Sequence, residues 1–152
     1  MNEREIEFRG KRKDNGEWVY GNYSYLKHDD GREGHWIVEI EPTYVRTGPV
    51  FERGWTHLQY EVRPETVGQY PGLKDKNGTD LDWWKGDIVR DERRYINKRE
   101  MIFQIVFSQG CFWLKSIHGK TCLTAESMTA CLHDFTKIGN IHENPELLEA
   151  RP

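Results

Sequence analysis

Glycine-containing turns cut this chain at short intervals, and that spacing restricts what can form between them. Asp14-Asn15-Gly16, Asp29-Asp30-Gly31, Arg53-Gly54, Lys76-Asn77-Gly78, Gln109-Gly110 and His118-Gly119 recur along its 152 residues. Asn-Gly and Asp-Gly supply the positive φ of two-residue hairpin turns, so several of these are expected to reverse a strand. The segments between them are short and rich in β-branched and aromatic side chains. Residues 17–26, 35–40, 55–62, 87–90, 101–108 and 111–117 all read as strands. Within 101–108, Met101, Phe103, Ile105 and Phe107 alternate with Ile102, Gln104, Val106 and Ser108. One face is continuously apolar, as a half-buried antiparallel strand requires. An all-β fold is the expectation.

Helical signals are confined to the end of the chain. Thr124 can cap a short helix running to Leu132, and Pro145 stands at a favourable first helical position ahead of Glu146-Leu147-Leu148-Glu149. Residues 41–54 hold Pro42, Gly48, Pro49 and Gly54 and read as a long functional or interface loop.

Composition sets the chemistry of the interior. Only 36% of residues are hydrophobic and 31% are charged, yet six Trp, seven Tyr and six Phe provide rings that fill a core poor in Leu and Ala. The longest strongly apolar run, Cys111-Phe112-Trp113-Leu114, falls far short of the ~20 residues that span a bilayer, so no membrane association is expected. The opening MNEREIEF is charged where a secretion signal is apolar. Cys111, Cys122 and Cys131 form an odd set without a C-x-x-C pair, which suits reduced thiols in a reducing compartment and a cytoplasmic location. A formal charge of -3 argues against an obligate polyanion binder.

Three blocks carry a family resemblance. The first is Phe8-Arg9-Gly10-Lys11-Arg12 followed by Asn15-Gly16-Glu17-Trp18-Val19-Tyr20-Gly21. The second runs from Val62-Arg63-Pro64-Glu65-Thr66-Val67-Gly68-Gln69-Tyr70 through Gly72-Leu73-Lys74-Asp75-Lys76-Asn77-Gly78 to Lys85-Gly86-Asp87-Ile88-Val89. The third is Ile138-Gly139-Asn140-Ile141-His142-Glu143-Asn144-Pro145-Glu146-Leu147-Leu148. Together they resemble the YopX family, small proteins of phages and prophages in Gram-positive bacteria. Where that family usually has a shorter stretch ending in Tyr or Phe before Glu-Gly-Asp, this chain has Leu81-Asp82-Trp83-Trp84-Lys85-Gly86-Asp87. The resemblance implies a mainly β fold with an SH3-like barrel in the C-terminal part, a tendency to form homo-oligomers, and no assigned activity. It transfers no catalytic residue.

The order of signals from Gly86 to Ile141 is compatible with such a barrel, with Gly86 at a sharp entry bend and Asp87 bonding turn amides. The organisation expected is an N-terminal β region over residues 1–63, a barrel over 64–143 and a C-terminal tail with short helical segments over 144–152. Gly86, Asp87 and Gly139 are assigned to the fold rather than to a site.

Candidate chemistry is sparse. Cys131 and His133 are the only pair near zinc-ligand spacing, and no second pair accompanies them, so no metal or other cofactor is expected. The cysteines sit in apolar or small-residue contexts that suit buried thiols better than nucleophiles. Asp80 and Asp82 share a strand face, the spacing a hydrolase could use, although turn chemistry is the ordinary role of Asp beside Lys-Asn-Gly. Nucleic-acid contact is the sharpest alternative. Over residues 85–99, Lys85, Arg90, Arg93, Arg94, Lys98 and Arg99 outnumber Asp87, Asp91 and Glu92, beside Trp83, Trp84 and Tyr95. Cations could hold phosphates while exposed rings stack bases. The ordinary alternative is a solvated hairpin with both tryptophans inside. The favoured reading is a non-catalytic, self-associating interaction module acting on a host or phage protein, with a nucleic-acid-binding accessory protein as the alternative. Trp83, Trp84, Arg90, Arg93, Arg94, Lys98 and Arg99 are its candidate contacts.

Overall fold

The computed structural model describes residues 6–47, 49–74, 77, 80–96, 99–118, 122–124 and 134–149, and only the backbone of residues 44–47, 50–52, 93–96 and 99–100. The chain divides into two compact units, one over Ile6–Gln69 and the other from Tyr70 onward. Each contains one five-stranded sheet.

In the first unit β1 (Phe8–Lys11), β2 (Trp18–Lys27), β3 (Glu33–Thr47), β4 (Val50–Glu61) and β5 (Gly68–Gln69) take the order β4-β3-β2-β1-β5. All four pairings are antiparallel. The first two reversals occur at the expected glycines, with Gly16 at φ +76° and Gly31 at φ +83°. β1, which is too charged to read as a strand, owes its state to neighbours on both sides: Phe8 and Arg9 pair with β2 and with β5. The loop expected over residues 41–54 is instead the distal half of a β3–β4 hairpin that reverses between Thr47 and Val50. Pro42 does not break β3 because it lies past the last β2–β3 pair, Asn22 and Val38, where β3 has a paired neighbour on one side only.

In the second unit β6 (Asp87–Ile96), β7 (Arg99–Ser108), β8 (Cys111–Ser116), β9 (Cys122–Thr124) and β10 (Phe135–Asn140) take the order β10-β6-β7-β8-β9, again antiparallel. Gln109 and Gly110, at φ +52° and +79°, form the expected tight turn. Alternation places Phe103 and Ile105 of β7 opposite Ser116 and Leu114 of β8. Phe103, Ile105 and Leu114 join Val89, Phe112 and Phe135 in a core that Leu73 and Trp83 complete from the preceding connection. Full burial of each large apolar side chain contributes about 1.5–3 kcal/mol.

The closed SH3-like barrel is not present among the described residues. The ladder is linear, and β9 supplies only three residues, opposite Trp113, Leu114 and Lys115. Most of the helix expected after Thr124 lies outside the described residues. At Pro145 the helical segment is a single 3-10 turn, Pro145–Leu148, with the proline at its start. No helix among the described residues is long and apolar enough to cross a membrane.

Candidate interaction surface

β2 pairs with β3 only as far as Asn22 and Val38, whereas β3 and β4 continue in unbroken register to Thr47 and Val50. Beyond Val38 the sheet is therefore a two-stranded ribbon. Its register sets Ile40 opposite His57 and Pro42 opposite Trp55, and strand alternation puts these four on one face. All four are exposed, Ile40 at 48% and Trp55 at 58%. The Arg53 guanidinium stands 4.8 Å from the Trp55 ring centre. Two-stranded ribbons are marginal in water on their own, so an apolar patch here carries a cost that a partner would relieve.

Closer to β1, rings and cations of the same unit engage one another. Arg9 and Lys11 lie 4.4 and 5.3 Å from the Trp18 ring, and Arg12 lies 4.6 Å from that of Tyr60. Arg12 also donates from Nε to Asp14 Oδ1 at 2.9 Å, which holds the Asp14 carboxyl below its ordinary range. Lys13 pairs with Glu61. Tyr23 Oη and His35 Nδ1 share a 2.6 Å hydrogen bond, and Tyr25 packs against the same imidazole. A hydrogen bond to Glu33 raises the Tyr25 phenol above its usual value.

The second unit presents an open groove of about 480 Å³ on the outer face of β7 and β8, lined by Val106, Ser108, Gln109, Trp113, Lys115 and Cys122. Trp113 donates its indole N–H to the Ser108 carbonyl at 3.0 Å, which fixes the ring as the groove wall.

Of the expected contact residues, the side chains of Trp83, Trp84 and Arg90 are among the described residues. Trp83 and Trp84 are buried, at 5% and 4% exposure, so neither offers a ring for stacking. Trp83 belongs to the core, and Trp84 donates its indole N–H to Asp82 Oδ1 at 2.8 Å while packing on Tyr70. Hydrophobic burial prevails because the connection before β6 brings Trp83 onto the aromatic core of its own unit, where a ring removes a large apolar area from water. Arg90 is half-buried and bonds Glu92 from Nε at 2.9 Å. Lys98 and the side chains of Arg93, Arg94 and Arg99 lie outside the described residues, as do Cys131 and His133. The two acidic candidates are engaged locally: Asp80 pairs with Lys74 at 2.9 Å, and Asp82 stands 3.6 Å from Lys137. Among the described residues no three His, Cys, Asp or Glu side chains converge as metal ligands would.

Sequence reasoning placed Ile40, Trp55 and His57 in strands but missed the ribbon patch, since Pro42 and Gly54 disguised the distal halves of those strands as a loop. The clue was the alternation of Glu39, Glu41 and Thr43 against Val38, Ile40 and Pro42.

These features define a small all-β protein of two antiparallel sheets with apolar side chains exposed on a ribbon. The YopX family model, described as YopX protein, matches residues 7–149. The chain belongs to the YopX family. It is similar in fold to the crystal structure of protein EF1440 from Enterococcus faecalis, with a TM-score of 0.54 and 23% identity over 97% of this chain and 100% of that one. A comparison with curated proteins finds no match.

Proposed function

We propose that this protein is a non-catalytic interaction module of a phage or prophage, working as a homo-oligomer in the bacterial cytoplasm and acting on a host or phage protein. The observation that carries this reading is the ribbon patch of Ile40, Pro42, Trp55 and His57, which sets apolar side chains in solvent at a point where the sheet is two strands wide. Tryptophan in such a position is typical of interface centres. The β6–β9 meander with β10 beside β6 supports describing the second unit as an open relative of an SH3-like barrel. Light scattering at micromolar concentration is the direct test. An oligomer is expected, and a monomer mass independent of concentration removes the self-association reading.

Nucleic-acid binding is the second reading, favoured by the six basic residues between Lys85 and Arg99. Burial of Trp83 and Trp84 weighs against the stacking half of it. On single strands, log K falls with log salt at a slope near -0.7 per phosphate contacted. Submicromolar binding at physiological salt, abolished in the Arg93→Gln/Arg94→Gln double variant while its circular dichroism is retained, would promote this reading above the first. The expected result is weak binding with no dependence on those two residues.

A further inference from the structure

The ribbon has two long edges, and they are not equivalent. Val62 donates its N–H to the His35 carbonyl at 2.8 Å, and this bond sets the phase of the whole β3–β4 ladder because the register never shifts. Even-numbered residues of β4 therefore bond β3, and odd-numbered ones turn their N–H and C=O outward. The same phase turns the Pro42 nitrogen toward the outer edge of β3. That edge lacks a donor at Pro42, a common protection against pairing with other strands.

β4 has no proline across Val50–Glu61. Near its end the outward groups are already used, because Glu61 accepts from the Lys13 N–H and the Arg63 N–H donates to Lys11, both at 2.9 Å. Among the described residues the open stretch is Phe51 to Gln59, and its outward residues Phe51, Arg53, Trp55, His57 and Gln59 are centred on Trp55.

We propose that β4 pairs antiparallel with β4 of a second copy about a two-fold axis at Trp55, which merges two ribbons into a four-stranded sheet. This deepens the proposed function and rests on its self-association. The register follows from the open stretch, since only a centre at residue 55 satisfies every outward backbone group from 51 to 59 in both copies. Trp55 then faces Trp55 of the second copy, with Pro42 beyond it on each side, so this exposed ring is covered by its own equivalent. Arg53 faces His57 of the second copy, and no carboxylate stands among the outward residues of the seam. A symmetric interface of this kind closes at two copies and leaves the protected β3 edges outermost.

Two variants test the seam by light scattering and sedimentation, with circular dichroism reporting the fold. Trp55→Glu sets two carboxylates against each other on the axis, and His57→Pro removes an outward donor while leaving the β3 ladder intact. Each is expected to raise the dimer dissociation constant about 30-fold or more, as loss of an interface hot spot does. Trp55→Glu changes only an exposed side chain, so it decides the matter where the proline variant fails to fold. An oligomeric wild type whose mass is unchanged in folded Trp55→Glu overturns the β4 seam and leaves self-association standing. A monomeric wild type overturns both.

Discussion

Gly86 occupies φ +96° at the entrance to β6, where its N–H donates to the Ile105 carbonyl at 2.8 Å and its own carbonyl accepts from Ile141 at 3.0 Å. An added Cβ would stand at an ordinary 3.5 Å from Ile141, so the constraint is conformational rather than spatial. Gly86→Val is expected to lower stability by more than the ~1 kcal/mol of a simple propensity change, read from the melting midpoint. An unchanged midpoint would show that the bend tolerates a side chain. Next to it, Asp87 is fully buried. Its Oδ2 accepts the Trp84 backbone N–H at 2.9 Å, its Oδ1 accepts Asn140 Nδ2 at 2.8 Å, and Lys137 Nζ lies 3.0 Å away. Asp87→Ala strips three donors of one acceptor and is expected to cost about 3 kcal/mol in chemical denaturation, the low end for breaking a buried pair because Lys137 stays a third exposed.

At the scale of elements, the β3–β4 ribbon follows a parity rule that substitution can read. Thr56 bonds β3 through its N–H while His57 points its own outward. Thr56→Pro is expected to lower the melting midpoint by the loss of a ladder bond, about 1–3 kcal/mol, and His57→Pro to lower it far less in the monomer. Equal effects would mean that the ladder has a different phase. The same parity explains how Pro42 sits inside a strand of 15 residues. A proline read from sequence ends a segment, but a proline whose nitrogen faces an open edge forfeits no ladder bond.

Across the whole molecule the two units differ in how much they bury. The second holds the cluster of Trp83, Val89, Phe103, Ile105, Phe112, Leu114 and Phe135 with Leu73. In Ile6–Gln69 the buried apolar side chains among the described residues are Ile37 and Val62. Local opening costs less where fewer apolar contacts are broken. Amide hydrogens of β2 to β4 are accordingly expected to exchange faster than those of β6 to β8 in native-state hydrogen exchange. Uniform protection across both units would contradict this.

Strand identity was legible in residues 101–108 and 111–117 because alternation and turn glycines are local properties, and the family was legible in the blocks around Gly16, Gly86 and Gly139. The role of Asp87 in bonding a turn amide was also readable, since its partner Trp84 is three residues away. Other features depend on contacts distant in the chain. β1 is a strand because β2 and β5 flank it, Trp83 is buried because the core strands come together beneath it, Trp84 packs on Tyr70, and Pro42 is tolerated because the β2–β3 pairing has stopped at Val38. Composition placed rings and cations together over 85–99, but burial is decided by which surfaces meet, and it removed the tryptophans from that surface. The exposed patch at Ile40 and Trp55 arises from the opposite cause: two residues 15 positions apart become diagonal neighbours across the strands only once the hairpin register is set.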